Sequence, residues 1–195
     1  MKQQSFHDIY TDELAEGAIL NNRHEGFVND YLMLHCLLRK HNIRSCFEIG
    51  THVGWGTQII KNALGEDSQV YSLDLPDEEA WKSEQHTTKH SNGSTGSKCT
   101  LPYTQLLGDS RYFDYREYPV ESYYCDGEHS YNNVFLETTQ MINMKPKLIV
   151  YHDADSENVY NAVVDAFGDN EEYELVRITD TRILYCLKKE TNGNA

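Results

Sequence analysis

Short apolar runs alternate with helical patterns along most of this chain, and this alternation limits the fold more than any other feature. The runs SCFEIG, VYSLD, TQLLGD, ESYYCD and KLIVYHD each have the length of a buried strand. Apolar residues at helical spacing follow several of them, over residues 57–64, 131–144 and 158–167. Strands that alternate with helices form a parallel sheet covered by helices. We therefore predict a doubly wound α/β fold.

The C-terminal part of the chain predicts an exception to the parallel order. The runs YELVRI and RILYCLKK flank Thr179, Asp180 and Thr181, a pattern typical of a hairpin. An antiparallel hairpin often borders an otherwise parallel sheet. With the five preceding strands, the sequence predicts a Rossmann-like, mostly parallel seven-stranded sheet with a C-terminal antiparallel hairpin.

The length of 195 residues fits one compact domain. Residues 1–43 predict an N-terminal helical segment, and residues 44–195 carry the alternating pattern of the domain itself. The helical segment could cover the active site of a neighbour in a homo-oligomer or cap its own sheet, because its periodicity fits both. The polar stretch between Pro76 and Leu101 predicts a loop.

Composition disfavours several classes of partner. A net charge of -14 with only 17 scattered Lys and Arg residues works against binding to nucleic acid. No apolar run approaches the roughly 18 residues that span a membrane, and the first residues lack the apolar core of a secretory signal. The five cysteines are widely spaced and form no CxxC pair. These features predict a cytoplasmic protein with a small-molecule partner, without nucleic acid or membrane.

The segment FEIGTHVGWGT places glycines between a predicted strand and a predicted helix. Gly50 and Gly54 allow a tight turn close to a ligand, and the helix beyond offers free N–H groups and a partial positive charge. A cofactor with a polar or carboxylate end fits such a loop. A purely structural turn stays open as an alternative, because this signal is only moderately specific. The spacing GTHVGWG also departs from the GxGxxG of dinucleotide enzymes.

Two acidic residues end the next two strands. Asp74 follows the glycine loop by about 20 residues, where a carboxylate can accept both hydroxyl protons of a ribose. A helix cap or turn before Pro76 is its structural alternative. Asp109 ends the third strand in LLGDS. Because open α/β sheets bind ligands outside the carboxyl ends of their strands, the ordered positions indicate a nucleoside site.

With these residues the chain resembles the class I S-adenosylmethionine (SAM)-dependent methyltransferases. FEIGTHVGWGT, YSLDLP and LLGDS look like the cofactor motifs of that class in the same order, and the resemblance spans residues 44–187. It implies SAM as the cofactor, with the ribose hydroxyls on Asp74 and the adenine near Asp109. The cofactor-binding residues that it implies are Glu48, Gly50, Thr51, Gly54, Thr57, Asp74, Leu75, Gly108, Asp109, Ser110 and Asp126.

The string DGEHSY, residues 126–131, carries a narrower resemblance. It looks like methyltransferase family 24, a group that includes metal-dependent O-methyltransferases acting on sugar hydroxyls. The resemblance implies that Asp126 and His129 are catalytic, with Asp126 binding a divalent ion and His129 acting as general base. A hydroxyl is a poor nucleophile at neutral pH and needs a base or a Lewis acid. Methyl transfer to an oxygen of a small hydroxylated acceptor is the expected reaction.

A second set of candidate metal ligands follows the fifth strand. Adjacent strand ends would bring Asp153 close to Asp126, where both could share Mg²⁺. His152 departs from the resemblance, because metal-dependent relatives commonly carry two acidic residues in place of His152 and Asp153. An imidazole suits Mn²⁺, Fe²⁺ or Zn²⁺ better. The alternatives are a divalent metal, Mg or Mn, on Asp126, His152 and Asp153, or a metal-free cluster in which His152 pairs with Asp126 or Asp155.

Two other function classes fit the same sequence. A non-catalytic module on this fold would bind SAM or another nucleoside without methylating an acceptor. A different enzyme, such as one acting on nucleotide sugars, would prefer another ligand, since fold alone does not fix function. Whether the protein binds SAM, and whether it transfers the methyl group, distinguishes these two classes from a methyltransferase.

Overall fold

A computed structural model describes residues 1–18, 27–76 and 94–190 of the chain. Its strands are β1 Lys2–Ser5, β2 Ser45–Ile49, β3 Gln69–Asp74, β4 Thr104–Leu107, β5 Ser122–Cys125, β6 Leu148–Tyr151, β7 Tyr173–Thr179 and β8 Leu184–Lys188. Its α-helices are α1 Asp12–Ala15, α2 Val28–Lys40, α3 Trp55–Leu64, α4 Tyr131–Met144 and α5 Glu157–Phe167. Most of the predicted polar loop between Pro76 and Leu101 lies outside the described residues.

The strands form one sheet in the order β1-β7-β8-β6-β5-β2-β3-β4. Only β8 runs antiparallel to its neighbours β6 and β7, so the predicted parallel sheet with a C-terminal antiparallel hairpin is confirmed. The sheet has eight strands rather than the predicted seven. The additional strand is β1, which pairs in parallel with β7 and places Lys2 opposite Val176. Its sequence KQQS contains no apolar run, so hydrophobic patterning gave no sign of it.

Helices cover both faces of the sheet and enclose two hydrophobic cores. Successive residues of a strand point to opposite faces, so Cys46 of β2 joins one core while Phe47 joins the other. Met33, Leu34 and Leu37 of α2 are fully buried in the first core. The apolar side of α2 therefore caps the chain's own sheet, and a homo-oligomer stays a prediction. No helix within the described ranges is long and apolar enough to cross a membrane.

Strand β2 lies where the chain changes direction across the sheet. It pairs with β3 on one side and β5 on the other, so the chain runs outward to β4 and then returns to the centre. All of these pairs are parallel, and their carboxyl ends meet at one edge. Ligands of open α/β sheets bind in the crevice at such a switch point. The fold therefore places the candidate site beyond β2 and β5.

Candidate active site

A cavity of about 700 Å³ opens at the carboxyl ends of β2 to β5, a volume that suits a small organic ligand. Its lining includes eight of the predicted cofactor residues, namely Gly50, Thr51, Asp74, Leu75, Gly108, Asp109, Ser110 and Asp126. The predicted base His129 lines it as well. Side chains that the sequence analysis did not single out complete the wall, among them Tyr31, Trp55, Arg111 and Asn133.

Gly50 holds the loops after β2 and β5 in close contact. Its backbone has a φ of +96°, and a Cβ at this position would lie 2.1 Å from the carbonyl oxygen of Asp126. The Asp126 N–H also donates a 2.9 Å hydrogen bond to the Ile49 carbonyl. A side chain at position 50 would therefore force the two loops apart, which explains why a glycine begins this segment.

Glu48 lies beneath the glycine loop rather than along the cavity. Its side chain is 1% exposed and accepts hydrogen bonds from Thr57 Oγ1, at 2.5 Å, and from Ser72 Oγ. Burial raises the pKa of Glu48 to about 8, so the carboxyl is mostly neutral at pH 7. Gly54, with a φ of +94°, precedes α3 and packs against Gly96. Glu48, Gly54 and Thr57 are not among the residues that line the cavity, and their assignment to the cofactor stays a prediction.

Asp74 is fixed at the edge of the cavity by two backbone donors. Its Oδ2 accepts a 2.7 Å hydrogen bond from the His52 N–H, and its Oδ1 accepts one of 2.7 Å from the Leu75 N–H. The residue lines the cavity although it is only 8% exposed. The two backbone donors therefore hold this carboxylate in one orientation at the cavity edge.

An ionic contact and a part-buried side-chain hydrogen bond help to hold the loop after β4. Arg111 donates from Nε to Asp109 Oδ1 at 2.9 Å and from its terminal nitrogen to Oδ2 at 2.5 Å. This guanidinium lowers the pKa of Asp109. Ser110 Oγ donates to the carboxyl of Glu137, which is 2% exposed and whose pKa burial raises to about 7.

The ends of β5 and β6 carry four side chains that we call the Asp–His cluster: Asp126, His129, His152 and Asp153. The two strands are direct neighbours, as the sequence analysis expected. His152 Nδ1 lies 3.2 Å from Asp126 Oδ1 and 3.1 Å from Asp153 Oδ2. His129 Nε2 lies 3.2 Å from the same oxygen of Asp153 and 3.9 Å from Asp126 Oδ1. The predicted base and the predicted metal ligands therefore form one group.

The donor atoms of Asp126, His152 and Asp153 fit a divalent metal ion. One ligand atom from each lies within 4.8 Å of the other two. His152 Nδ1 is buried and makes no hydrogen bond of good geometry to either nearby oxygen. An imidazole lone pair directed between two carboxylates is the arrangement that a metal completes. Within the described residues, the carboxylates within 4 Å of His152 belong to Asp30, Asp126 and Asp153, so the alternative pairing with Asp155 is not found.

Electrostatics favour a positive charge within the cluster. Burial opposes a charge on His152, but the surrounding carboxylates, Asp126 foremost, outweigh it and raise the pKa of His152. The two imidazoles in turn hold the pKa of Asp126 well below its usual range, against the effect of burial. The pKa of His129 is raised by Asp126 and Asp153 beside it. A proton or a metal ion can supply the charge that the carboxylates stabilise.

Two residues behind the cluster were missed by the sequence analysis. Asp30 is 4% exposed and places Oδ2 3.2 Å from His152 Nε2. Arg182 reaches from the β7–β8 turn to both Asp30 and Asp153. An acidic residue in the first turn of a helix is ordinary, because it favours the helix dipole, so nothing local marked Asp30 as part of a site.

The chain matches no model of a known protein family and no curated protein sequence. It is similar to solved methyltransferase structures. An O-methyltransferase from Bacillus cereus, in complex with S-adenosylhomocysteine (SAH), has a TM-score of 0.55 and 11% identity over 90% of this chain and 85% of its own. The SAH-bound methyltransferase PaMTH1 of Podospora anserina has a TM-score of 0.57 and 8% identity over 93% of this chain and 89% of its own.

A third similar structure is the O-methyltransferase TomG from Streptomyces achromogenes, which is involved in tomaymycin synthesis and was solved with SAM. It has a TM-score of 0.54 and 14% identity over 93% of this chain and 92% of its own. Identities this low show a shared fold. The methyltransferase fold implied by the class I resemblance is therefore confirmed, and the narrower resemblance to sugar-methylating enzymes stays a prediction.

Proposed function

We propose that this protein is a SAM-dependent methyltransferase that methylates an oxygen of a small hydroxylated acceptor. Gly50, Asp74 and Asp109 line the same cavity as His129, and this observation carries the proposal. The similarity to structures solved with SAM or SAH supports the choice of cofactor.

The cofactor would lie along the loops after β2, β3 and β4. Gly50 lines the cavity where the loops after β2 and β5 meet, and Asp74 places a carboxylate at the cavity edge, where a carboxylate can accept hydrogen bonds from ribose hydroxyls. Asp109 and Ser110 line the part of the cavity assigned to the adenine. When bound, SAM supplies an electrophilic methyl group on a positively charged sulfur.

His129 would take the proton of the acceptor hydroxyl. Its Nε2 is buried against Asp153, so a neutral ring with its hydrogen on Nε2 keeps the lone pair on Nδ1 for this task. The neighbouring Asp126 and Asp153 stabilise the imidazolium that forms, which makes His129 a stronger base than a free histidine. A divalent metal on Asp126, His152 and Asp153 would add a Lewis acid for the acceptor oxygen.

The cavity size and the overall charge restrict the partner. A volume of about 700 Å³ suits a nucleoside cofactor with a small acceptor, and a net charge of -14 disfavours nucleic acid. A cytoplasmic location is supported by the five cysteines, which are all free thiols and of which four are buried.

Isothermal titration of the chelator-treated protein with SAH tests the cofactor assignment. Loss of the Asp74 carboxylate removes charge-assisted hydrogen bonding of about 1.5–3 kcal/mol in total, so Asp74→Ala should weaken SAH binding about 10- to 150-fold. Asp67→Ala, which removes an exposed carboxylate after α3, is the matched control and should bind like the wild type.

Absence of SAH binding by the wild-type protein would refute the proposal and direct attention to nucleotides and nucleotide sugars. SAH binding without SAH formation from SAM, across a panel of sugars and phenols, would instead indicate the non-catalytic module.

A further inference from the structure

Asp30 connects the first turn of α2 to the Asp–His cluster. Its Oδ1 accepts a 2.8 Å hydrogen bond from the Arg182 N–H, and its Oδ2 lies 3.2 Å from His152 Nε2 and 3.3 Å from Arg182 Nε. Asp30 is 4% exposed, and it is not among the residues that line the main cavity. Its side-chain contacts connect it to the Asp–His cluster through His152 and Arg182.

This contact fixes a hydrogen on Nε2 of His152, because a carboxylate only accepts hydrogen bonds and the ring nitrogen facing Asp30 has to be a donor. Nδ1 lies 3.2 Å from Asp126 Oδ1 and 3.1 Å from Asp153 Oδ2, so it too can carry a hydrogen while no metal is bound. A metal ion would displace the Nδ1 hydrogen and take its lone pair, while Asp30 keeps the other hydrogen on Nε2. A histidine that donates from one nitrogen to a carboxylate and turns the other toward acidic residues has the arrangement of a metal ligand.

Further contacts fix the remaining members of the group. Arg182 donates from Nη1 to Asp153 Oδ1 at 2.9 Å, which leaves Oδ2 of that carboxylate directed toward His152. The Arg182 guanidinium also stacks over the Phe27 ring at 3.9 Å, and the same ring lies 5.9 Å from the His152 ring. The start of α2 and the β7–β8 turn together form a partly buried support behind the donor atoms.

We propose that Asp30 is a positioning residue that holds His152 as a nitrogen ligand, and that the resulting site prefers a transition-metal ion such as Mn²⁺ or Zn²⁺ to Mg²⁺. The proposal deepens the proposed function, on which it rests for the use of the metal. One imidazole and two carboxylates form a donor set that suits Mn²⁺ and Zn²⁺, whereas Mg²⁺ prefers oxygen ligands and retains several waters.

Metal binding by the full-length protein tests the proposal without any assay of turnover. The chelator-treated protein is titrated with Mn²⁺, and free Mn²⁺ is followed by electron paramagnetic resonance; Zn²⁺ and Mg²⁺ are then compared as competitors. The wild type should bind one Mn²⁺ that Zn²⁺ displaces and that Mg²⁺ displaces only at far higher concentration. Asp30→Asn should weaken Mn²⁺ binding about 10- to 100-fold, as removal of outer partners of metal ligands does.

A double-mutant comparison separates positioning from general support of the fold. In a His152→Asn background, Asp30→Asn should change Mn²⁺ affinity less than about twofold, because the ring that Asp30 orients is gone. Asp12→Asn, in the exposed first turn of α1, is the matched control and should leave Mn²⁺ affinity unchanged. If Asp30→Asn fails to fold, Asp30→Glu keeps the charge but displaces the carboxylate, and it should still weaken Mn²⁺ binding.

Several results would overturn the proposal. The wild type could show no saturable Mn²⁺ binding, or Mg²⁺ could displace Mn²⁺ as readily as Zn²⁺ does. The Asp30 variants could also bind Mn²⁺ with unchanged affinity, or Asp30→Asn could lower Mn²⁺ affinity equally in the wild-type and His152→Asn backgrounds. SAH titration of the same samples keeps the two proposals apart. Intact SAH binding with no Mn²⁺ binding removes this inference alone, whereas absent SAH binding removes the proposed function.

Discussion

Glu48 and Glu137, two buried acidic residues behind the loops after β2 and β4, tend to be neutral, whereas Asp126 and Asp153 of the Asp–His cluster are charged. Burial raises the pKa of Glu48 to about 8 and that of Glu137 to about 7, and hydroxyl groups are their hydrogen-bond donors. Across the cavity, imidazoles lower the pKa of Asp126 and Asp153 despite burial. Both sides bury carboxyl groups, and only the partners differ.

The charge of these carboxyl groups indicates a different task for each side of the cavity. Neutral hydrogen bonds hold a loop in one shape and add little field at the ligand, which suits recognition of a cofactor. Buried ion pairs create a strong local field that stabilises a proton or a cation, which suits chemistry on a hydroxyl group. If the two sides are independent in this way, changes on one should leave the measured property of the other unchanged.

The largest expected effect comes from removing the base on the charged side. His129→Ala should lower turnover about 10²- to 10⁴-fold, the usual contribution of general base catalysis, while SAH affinity changes less than about twofold. SAH formation with the best acceptor of a hydroxyl panel, together with SAH titration, measures both quantities. His7→Ala at the exposed N-terminal turn is the control. Unchanged turnover in His129→Ala would remove its role as base.

Pushing apart the loops after β2 and β5, where the two sides of the cavity meet, should have a smaller effect than loss of the base. Gly50→Ala should lower the free energy of unfolding by about 3 kcal/mol, from the overlap with the Asp126 carbonyl together with the positive φ. Gly65→Ala is a matched control, because its φ of +91° is similar but its surroundings are open. It should cost only about 1 kcal/mol. Urea unfolding measures both, and equal costs would show that the loop contact is not tight.

The smallest effect concerns the neutral carboxyl under the glycine loop. The pKa of Glu48 is raised from 4.5 to about 8 in the folded protein, so the stability that it contributes is full below pH 4.5 and is lost as the pH rises to about 8. Relative to Glu48→Gln, the wild type should lose stability across this range by at most about 1.4 kcal/mol per pH unit, and the difference should level off above pH 8. Urea unfolding at several pH values measures this.

The exposed Glu171→Gln is the control for that series and should follow the wild type at every pH. Parallel curves for the wild type and Glu48→Gln would mean that Glu48 is charged, and the contrast between the two sides would then fail.

Hydrophobic patterning was sufficient for the regular elements of the fold. Helix α4 has the predicted bounds 131–144, and α5 begins one residue before the predicted 158–167. Patterning failed for β1, because an edge strand of polar residues is held by backbone pairing that leaves no hydrophobic trace.

The cavity edge was predictable because parallel strands end together, which brought Asp74, Asp109 and Asp126 to one place. The residues behind the cavity edge were not predictable from the sequence. Asp30 and Glu137 lie on helices far from the strand ends in sequence, and a buried acid on a helix has the same local pattern as an exposed one. Glu48 was assigned to the cofactor from its place near the glycine loop, but it lies in β2 and its side chain turns toward Thr57 and Ser72. The motif alone does not reveal which face of the sheet a strand residue takes.

The reach of Asp30 has a consequence for how the protein folds. Its two partners His152 and Arg182 are 122 and 152 positions away along the chain. Contacts between such distant residues form only after the large entropy of closing the intervening chain has been overcome. The contacts of Arg182 with Asp30 and Asp153 therefore form only when the final hairpin docks, so a chain that ends before the β7–β8 turn lacks the guanidinium that holds these two carboxylates.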